Sequence, residues 1–256
     1  MISERIISVE GLNDRSAGRA LIVVPTYNER QDIRAFIEAI GLRSEADLLI
    51  VDDGSPDGTA EAAKIAASSA PMRVLLMRRP RKLGLGTAYT DAFRWILRHE
   101  TGYDVVVSMD ADFSHGPEKV PALTAMARES GFAIGSRYVS GGACRDWPLH
   151  RRLLSRWANL YASAIIRLRH PRFRIHDATS GFAAWSRNAL ERVMAADPKS
   201  DGYAFAVETK LAAVLAGYVP KELPITFKDR THGTSKISKA VILESALLPW
   251  RILLRR

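Results

Sequence analysis

The chain has 256 residues, 47% of them hydrophobic and 25% charged, with a formal charge of +9. This balance excludes a disordered chain and fits one large α/β domain. A single cysteine, Cys144, excludes an internal disulfide and suits a reducing, cytoplasmic setting; the N-terminus reads as no secretory signal, and no apolar run reaches the roughly 18–20 residues of a spanning helix.

The apolar pattern alternates between short strands and longer helices. Residues 20–25 (ALIVVP) predict a buried strand and 29–43 an amphipathic helix; 47–51 predict a strand and 57–69 an Ala-rich helix. Strands follow at 72–78, 104–109 and 132–136, separated by helices at 86–99 and 117–129. Such alternation implies a mostly parallel sheet with helices on both faces, whose ligand site lies beyond the C-terminal strand ends. Four predicted strands run into polar residues at that edge: Pro25-Thr26-Tyr27-Asn28-Glu29, Asp52-Asp53-Gly54-Ser55, Asp110-Ala111-Asp112 and Arg137.

Beyond residue 140 the rhythm changes. A helix is expected at 150–168, interleaving Arg151, Arg152, Arg156 and Arg167 with apolar positions. A short strand at 178–185, helices at 187–196 and 204–217, a strand at 222–227, a polar loop at 229–236 and an amphipathic helix at 237–254 follow. No repeat or long linker divides the chain, so 1–256 reads as a single domain with parts at 20–140, 141–236 and 237–256. Residues 1–144 carry 17 basic and 19 acidic side chains, residues 145–256 carry 20 and 9. The second half therefore calls for an anionic partner: nucleic acid, phospholipid or a phosphorylated substrate.

Asp110 and Asp112, at alternate positions just past an apolar strand, can converge on one hard cation whose remaining ligands are phosphate oxygens and water. A surface turn is the plainer alternative. The adjacent carboxylates of Asp52 and Asp53 should repel unless one meets a donor or a cation; Ser55 or Asp57 can also cap the helix that follows. Tyr27 suits packing against a base and Glu29 holding a polar edge, although the same residues make a turn and helix cap. Gly84-Leu85-Gly86 resembles the start of a dinucleotide fingerprint, but Tyr89 stands where the third glycine belongs, which leaves a tightly packed loop.

Taken together, PTYNE (25–29), VDDGSPDGT (51–59), GLGTAY (84–89), MDADFSHGPE (109–118), GSRYVSGG (135–142), HDATSGF (176–182) and RTHGTSK (230–236) resemble glycosyltransferase family two. Within it they look most like the dolichol-phosphate and polyprenol-phosphate mannose synthases, in order and over residues 20–245. The resemblance implies a GT-A (Rossmann-like) mixed, mostly parallel α/β fold, a GDP-mannose donor, and Mg²⁺ or Mn²⁺ on Asp110 and Asp112 around Ala111. Ser114 stands where many relatives carry Gln, and reaches the metal through water or not at all. Pro25, Tyr27, Glu29, Val51 and Asp53 match positions lining the nucleotide. Arg230 and Lys236 match a late loop that closes on the diphosphate. Arg137, Arg151 and Ser155 match the cradle of an acceptor phosphate, with Arg152 as the alternative register for Arg151.

The implied reaction is direct, inverting displacement by the phosphate of a polyprenyl (dolichyl-type) lipid. That phosphate is already ionised near neutral pH, so Asp112, Arg137 and Arg230 act by alignment and charge neutralisation, without a strong general base. His176 and Asp177 are candidates for positioning. The terminal helix either lies in the membrane interface, making the protein peripheral on the cytoplasmic face, or packs on the core; a separate membrane-anchoring subunit is an alternative. UDP-glucose or UDP-GlcNAc remain alternative donors. A nucleic-acid partner is disfavoured, because the acidic strand ends would repel its phosphates.

Overall fold

The structure is a computed structural model that describes residues 7–13, 19–145, 147–169, 171 and 174–228. The predicted loop at 229–236, with Arg230 and Lys236, and the predicted terminal helix lie outside the described residues. In chain order the strands are β1 (Ser8–Gly11), β2 (Ala20–Thr26), β3 (Asp47–Asp52), β4 (Val74–Arg78), β5 (Val105–Ser108), β6 (Phe132–Ser136), β7 (Ala143–Cys144), β8 (Ala183–Ser186), β9 (Lys221–Pro224) and β10 (Thr226–Phe227). The helices are α1 (Ile33–Arg43), α2 (Thr59–Ala67), α3 (Leu85–His99), α4 (Val120–Ser130), α5 (Leu149–Arg169), α6 (Arg187–Ala195) and α7 (Gly202–Leu215), with a 3-10 turn at Pro117–Lys119.

Eight strands form one sheet in the order β1-β4-β3-β2-β5-β8-β6-β9, and β7 pairs with β10 in a small parallel ladder. The central strands are apolar on both faces because helices cover both. Leu21, Val23, Leu49, Val51, Leu75 and Met77 pack with Phe93 of α3, Leu190 of α6 and Phe205 of α7. Their alternates Ile22, Val24, Leu48, Ile50 and Leu76 pack with Phe36 of α1, Ala63 of α2 and Leu123 of α4. Each such Val, Leu or Ile contributes about 1.5–3 kcal/mol on burial. Caps fix the helix ends: Gly131, at φ 82°, stops α4, and Ser186 accepts the Ala189 N–H to start α6.

Several elements differ from the sequence reading: β7 is unannounced, and the strand expected at 222–227 is split into β9 and β10, which lie in different sheets. β1 adds an antiparallel edge strand that SVEG, short and half polar, does not announce. The strand expected at 178–185 begins only at Ala183 and runs antiparallel between β5 and β6. Residues 176–182 instead cross the C-terminal edge of the parallel strands, so the chain must descend through the sheet when it re-enters. That displacement places a polar loop beside the site.

Candidate functional site

The C-terminal ends of β2, β3, β5 and β6 share one edge, with Thr26 opposite Asp52 in the β2–β3 ladder. After β2 the chain turns sharply; Asn28 takes a left-handed φ of 60°. The turn is pinned to the next loop by Asn28 N–H to Ser55 Oγ (3.1 Å), Glu29 N–H to Thr59 Oγ1 (3.0 Å) and Arg30 N–H to Asp57 Oδ2 (3.1 Å). Pro25, Tyr27 and Glu29 stay half-buried at the edge, and the Lys82 ammonium lies 4.1 Å from the centre of the Tyr27 ring. The Val51 side chain is fully buried in the core beneath them.

The repulsion expected between Asp52 and Asp53 unless one meets a donor or a cation is relieved from within the chain, by a buried cation and backbone donors. Arg79, whose side chain is fully buried, reaches Asp53 Oδ1 at 2.7 Å. Asp53 also accepts the Leu83 and Gly84 N–H groups at 2.9 and 3.0 Å, and Asp52 accepts Ser55 N–H at 3.2 Å. Asp53 therefore shapes the 81–84 loop from beneath. Gly84, at φ 104°, lies so close to Asp201 that a Cβ would stand 2.1 Å from its Oδ2, while Asp201 Oδ1 accepts Gly86 N–H at 2.6 Å. The tight-loop reading of Gly84-Leu85-Gly86 thus has a steric cause: α3 starts against the start of α7.

Beyond β5, Asp110 is one-third exposed, whereas Ala111, Asp112 and Ser114 are buried. Phe113 takes a φ of 59° and sets its ring edge-on to Phe36, 5.6 Å away. Asp112 Oδ1 accepts Ser114 N–H at 3.0 Å, while the Ser114 Oγ, buried, has no hydrogen-bond partner among the described residues. An orphaned hydroxyl beside a carboxylate fits an oxygen-ligated Mg²⁺ or Mn²⁺. Among the described residues no group of three or more His, Cys, Asp or Glu could enclose a metal by itself, so such a site would leave positions for phosphate and water. His115 is buried, stacked on Phe182 at 5.1 Å, and its Nδ1 accepts Asp110 N–H at 3.3 Å. Burial pushes its pKa down, against the upward pull of Asp110 and Asp112, so the neutral ring that accepts this bond is favoured.

The 176–182 loop sits alongside. A Cβ on Gly181 would lie 3.7 Å from Asp110 Oδ2. Arg137, at the end of β6, is buried and grips Asp177 with Nε and Nη2 at 2.8 Å each, and Nη2 also reaches Thr179 at 2.8 Å. Burial works against the Arg137 cation, and Asp177 more than offsets it, so the guanidinium pKa is raised. The Arg137 guanidinium faces the rings of Tyr138, Trp147 and Phe227 at 5.2, 6.0 and 5.5 Å. Arg151 lies 4.3 Å over the other partner, Trp147, and Ser155 Oγ bonds Tyr138 OH at 2.8 Å. The three residues read from sequence as a phosphate cradle, Arg137, Arg151 and Ser155, are thus joined through two aromatic side chains. Arg152 is exposed, whereas Arg151 is half-buried.

Sequence reasoning missed the supports. Glu222 of β9 accepts His176 and Asp177 N–H at 2.8 and 2.9 Å, and Asn159 of α5 accepts Ala178 N–H at 2.8 Å. Arg79, His115 and Lys210 were also unmarked; a lysine inside VETKLAAVL was the one legible signal.

A family model described as glycosyl transferase family 2 matches residues 21–194. Polyprenol monophosphomannose synthase of Mycolicibacterium smegmatis is 39% identical over 251 residues, covering 93% of this chain and 92% of that protein. Undecaprenyl-phosphate mannosyltransferase of Micrococcus luteus is 37% identical over 230 residues, covering 90% and 91%. Among solved structures, glucosyl-3-phosphoglycerate synthase from Mycobacterium tuberculosis, in complex with Mn²⁺, UDP and glucosyl-3-phosphoglycerate, matches with a TM-score of 0.58 at 18% identity, over 92% of this chain and 78% of that one. That likeness bears on the fold alone, a mixed α/β arrangement of the GT-A kind. With the acidic strand end and its flanking loops inside the matched span, the chain belongs to glycosyl transferase family 2.

Proposed function

We propose that this chain transfers mannose from GDP-mannose to a polyprenyl phosphate, with inversion at the anomeric carbon. The observation that carries the reading is the likeness, over about nine-tenths of the chain, to two enzymes whose names state this lipid mannosylation. The site supports it with an acidic strand end at Asp110 and Asp112 near a cationic, aromatic-lined cradle at Arg137 and Arg151.

Asp110 and Asp112, with Ser114, would hold Mg²⁺ or Mn²⁺, whose charge stabilises a leaving diphosphate. Pro25, Tyr27, Glu29, Val51 and Asp53 form or underlie the nucleotide pocket, and Arg230 and Lys236 close on the diphosphate. An oxygen of the acceptor phosphate bonds to the anomeric carbon as the bond from that carbon to the diphosphate breaks, and the bonding pair departs on GDP. Arg137 and Arg151 neutralise the acceptor and Ser155 donates a hydrogen bond to it. The test is chloroform-soluble label formed from GDP-[³H]mannose and polyprenyl phosphate in detergent, present with Mg²⁺ or Mn²⁺ and absent with EDTA. Label from UDP-glucose or UDP-N-acetylglucosamine instead would move the reading to another donor.

A lipid acceptor requires a membrane surface. Among the described residues no helix is long and apolar enough to cross one. α5, however, turns Leu149, Leu153, Leu154, Trp157, Leu160 and Leu168 outward, 54–74% exposed, beside the exposed Arg152 and Arg156. Apolar side chains flanked by guanidinium groups suit an anionic lipid interface, with the protein peripheral on the cytoplasmic face. The chain is expected to co-sediment with phosphatidylglycerol vesicles, and Trp157→Glu to lower its partitioning about tenfold. Equal sedimentation of the variant would remove α5 from the membrane contact.

A further inference from the structure

We propose that Lys210 is a positioning residue of this site: reaching from α7, its ammonium group holds the Ser180 carbonyl and thereby fixes the Gly181 backbone beside Asp110. The proposal deepens the transfer reading above and rests on it for the reaction concerned.

Lys210 is completely buried. Its Nζ donates to Ser180 O at 2.6 Å and to Ala206 O at 3.2 Å. The neighbouring carbonyl, Gly181 O, accepts the Ser108 hydroxyl of β5 at 2.9 Å, so two consecutive peptide groups are held from two different elements. Ser180 also ties its own Oγ to Gly135 O at 2.7 Å. Gly181 packs directly against the acidic strand end: a Cβ there would lie in van der Waals contact with Asp110 Oδ2 and His115 Cε1, at 3.7 Å each. A shift of the 180–181 backbone therefore changes the wall beside a carboxylate assigned to the donor end of the site.

Packing does not call for a charge in this slot. A buried ammonium is costly to desolvate, and a methionine of similar length would fill the space without that cost. Phe205, on α7 itself, stacks on Tyr89 of α3 at 5.8 Å, and Leu190 and Val193 of α6 join the same apolar cluster. The charges acting on Lys210 are Asp177, Arg137 and Glu222; Glu208, on α7 itself, is engaged with the Lys199 and Ser200 N–H groups at 3.0 and 2.8 Å. Burial lowers the Lys210 pKa to about 7, with Asp177 and Glu222 pulling upward and Arg137 downward. The full charge that grips Ser180 is present below pH 7 and lost above it. Because the folded pKa lies below the ordinary value of 10.5, the unfolded chain holds the extra proton between these limits, and this group adds stability as pH rises through them.

The test compares wild type with Lys210→Met and Lys210→Gln by amide hydrogen exchange, thermal melting and transfer kinetics. In Lys210→Met the protection of amides 178–182 is expected to fall about tenfold, as for loss of a hydrogen bond to a charged group. The melting temperature at pH 6 should rise, because a buried charge is gone. The kcat should fall about tenfold with little change in donor KM, and the fall of wild-type kcat as pH rises through 7 should be absent. Lys210→Gln, a donor without charge, should keep intermediate protection that does not vary with pH. Unchanged protection at 178–182 would overturn the proposal whatever the reaction is. Lost protection accompanied by a lower melting temperature would also overturn it, by making Lys210 a folding residue. A wild type that forms no mannolipid would defeat the functional reading alone, since exchange and melting still decide the role of Lys210.

Discussion

Asp112→Ala is expected to lower mannosyl transfer about a thousandfold while the chain stays folded. The size follows from the chemistry: a diphosphate leaving group develops charge as its bond breaks, and a divalent cation on two carboxylates supplies several kcal/mol toward it. Of the pair, Asp112 is buried and Asp110 only half-buried. Its Oδ1 also closes the turn by accepting Ser114 N–H. Alanine removes both functions, so Asp112→Asn is the informative companion, keeping the acceptor oxygen and the volume while removing the charge. Both variants should need far more Mn²⁺ for whatever activity remains, with melting curves close to wild type for Asp112→Asn. Transfer by Asp112→Asn at the wild-type rate and the same Mn²⁺ concentration would remove Asp112 from the metal site.

Arg137→Ala should abolish transfer and cost about 3–5 kcal/mol of stability, because it strands a buried carboxylate. Asp177 is completely buried and takes two guanidinium hydrogen bonds and the Arg137 N–H, the last at 2.9 Å. Stability and catalysis are separated by the double substitution Arg137→Met with Asp177→Leu. Replacing a whole buried pair by apolar side chains of similar volume is close to neutral for folding, so urea unfolding should return near the wild-type midpoint. Transfer should not return, since the Arg137 guanidinium is then missing beside Tyr138 and Trp147 and Arg151 alone remains for the acceptor phosphate. A folded double variant with normal activity would make Arg137 a purely structural residue.

The fold was legible where the apolar signal was strong. The strands at 20–25, 47–51 and 132–136 and the alternating helices of the first half appear close to their expected positions, because continuous Val, Ile and Leu runs are what a sheet covered on both faces demands. The 178–185 segment misled, because ATSGFAAW carries the composition of a strand while its first part is recruited by Asn159 and Lys210, from α5 and α7, and residues 176–177 just before it by Glu222 of β9. No local pattern encodes partners that lie between 19 and 46 residues away. The acidic pair at 52–53 called for a donor or a cation, but which one was not legible: Arg79 comes from just beyond the end of the neighbouring strand.

The sequence by itself determined the class of the fold and the edge at which the polar strand ends, Asp110 and Asp112 among them, are gathered, since strand period and strand ends are local properties of the chain. It also marked the second half as the one suited to an anionic partner. Only the tertiary structure decided which charges are exposed to a ligand and which are consumed by one another. Asp53 and Arg79 neutralise each other beneath the strand edge, and Lys210 stands buried behind the loop that meets Asp110. Burial and pairing set the energy of a charge, and both depend on residues brought close by folding across distances no sequence window spans.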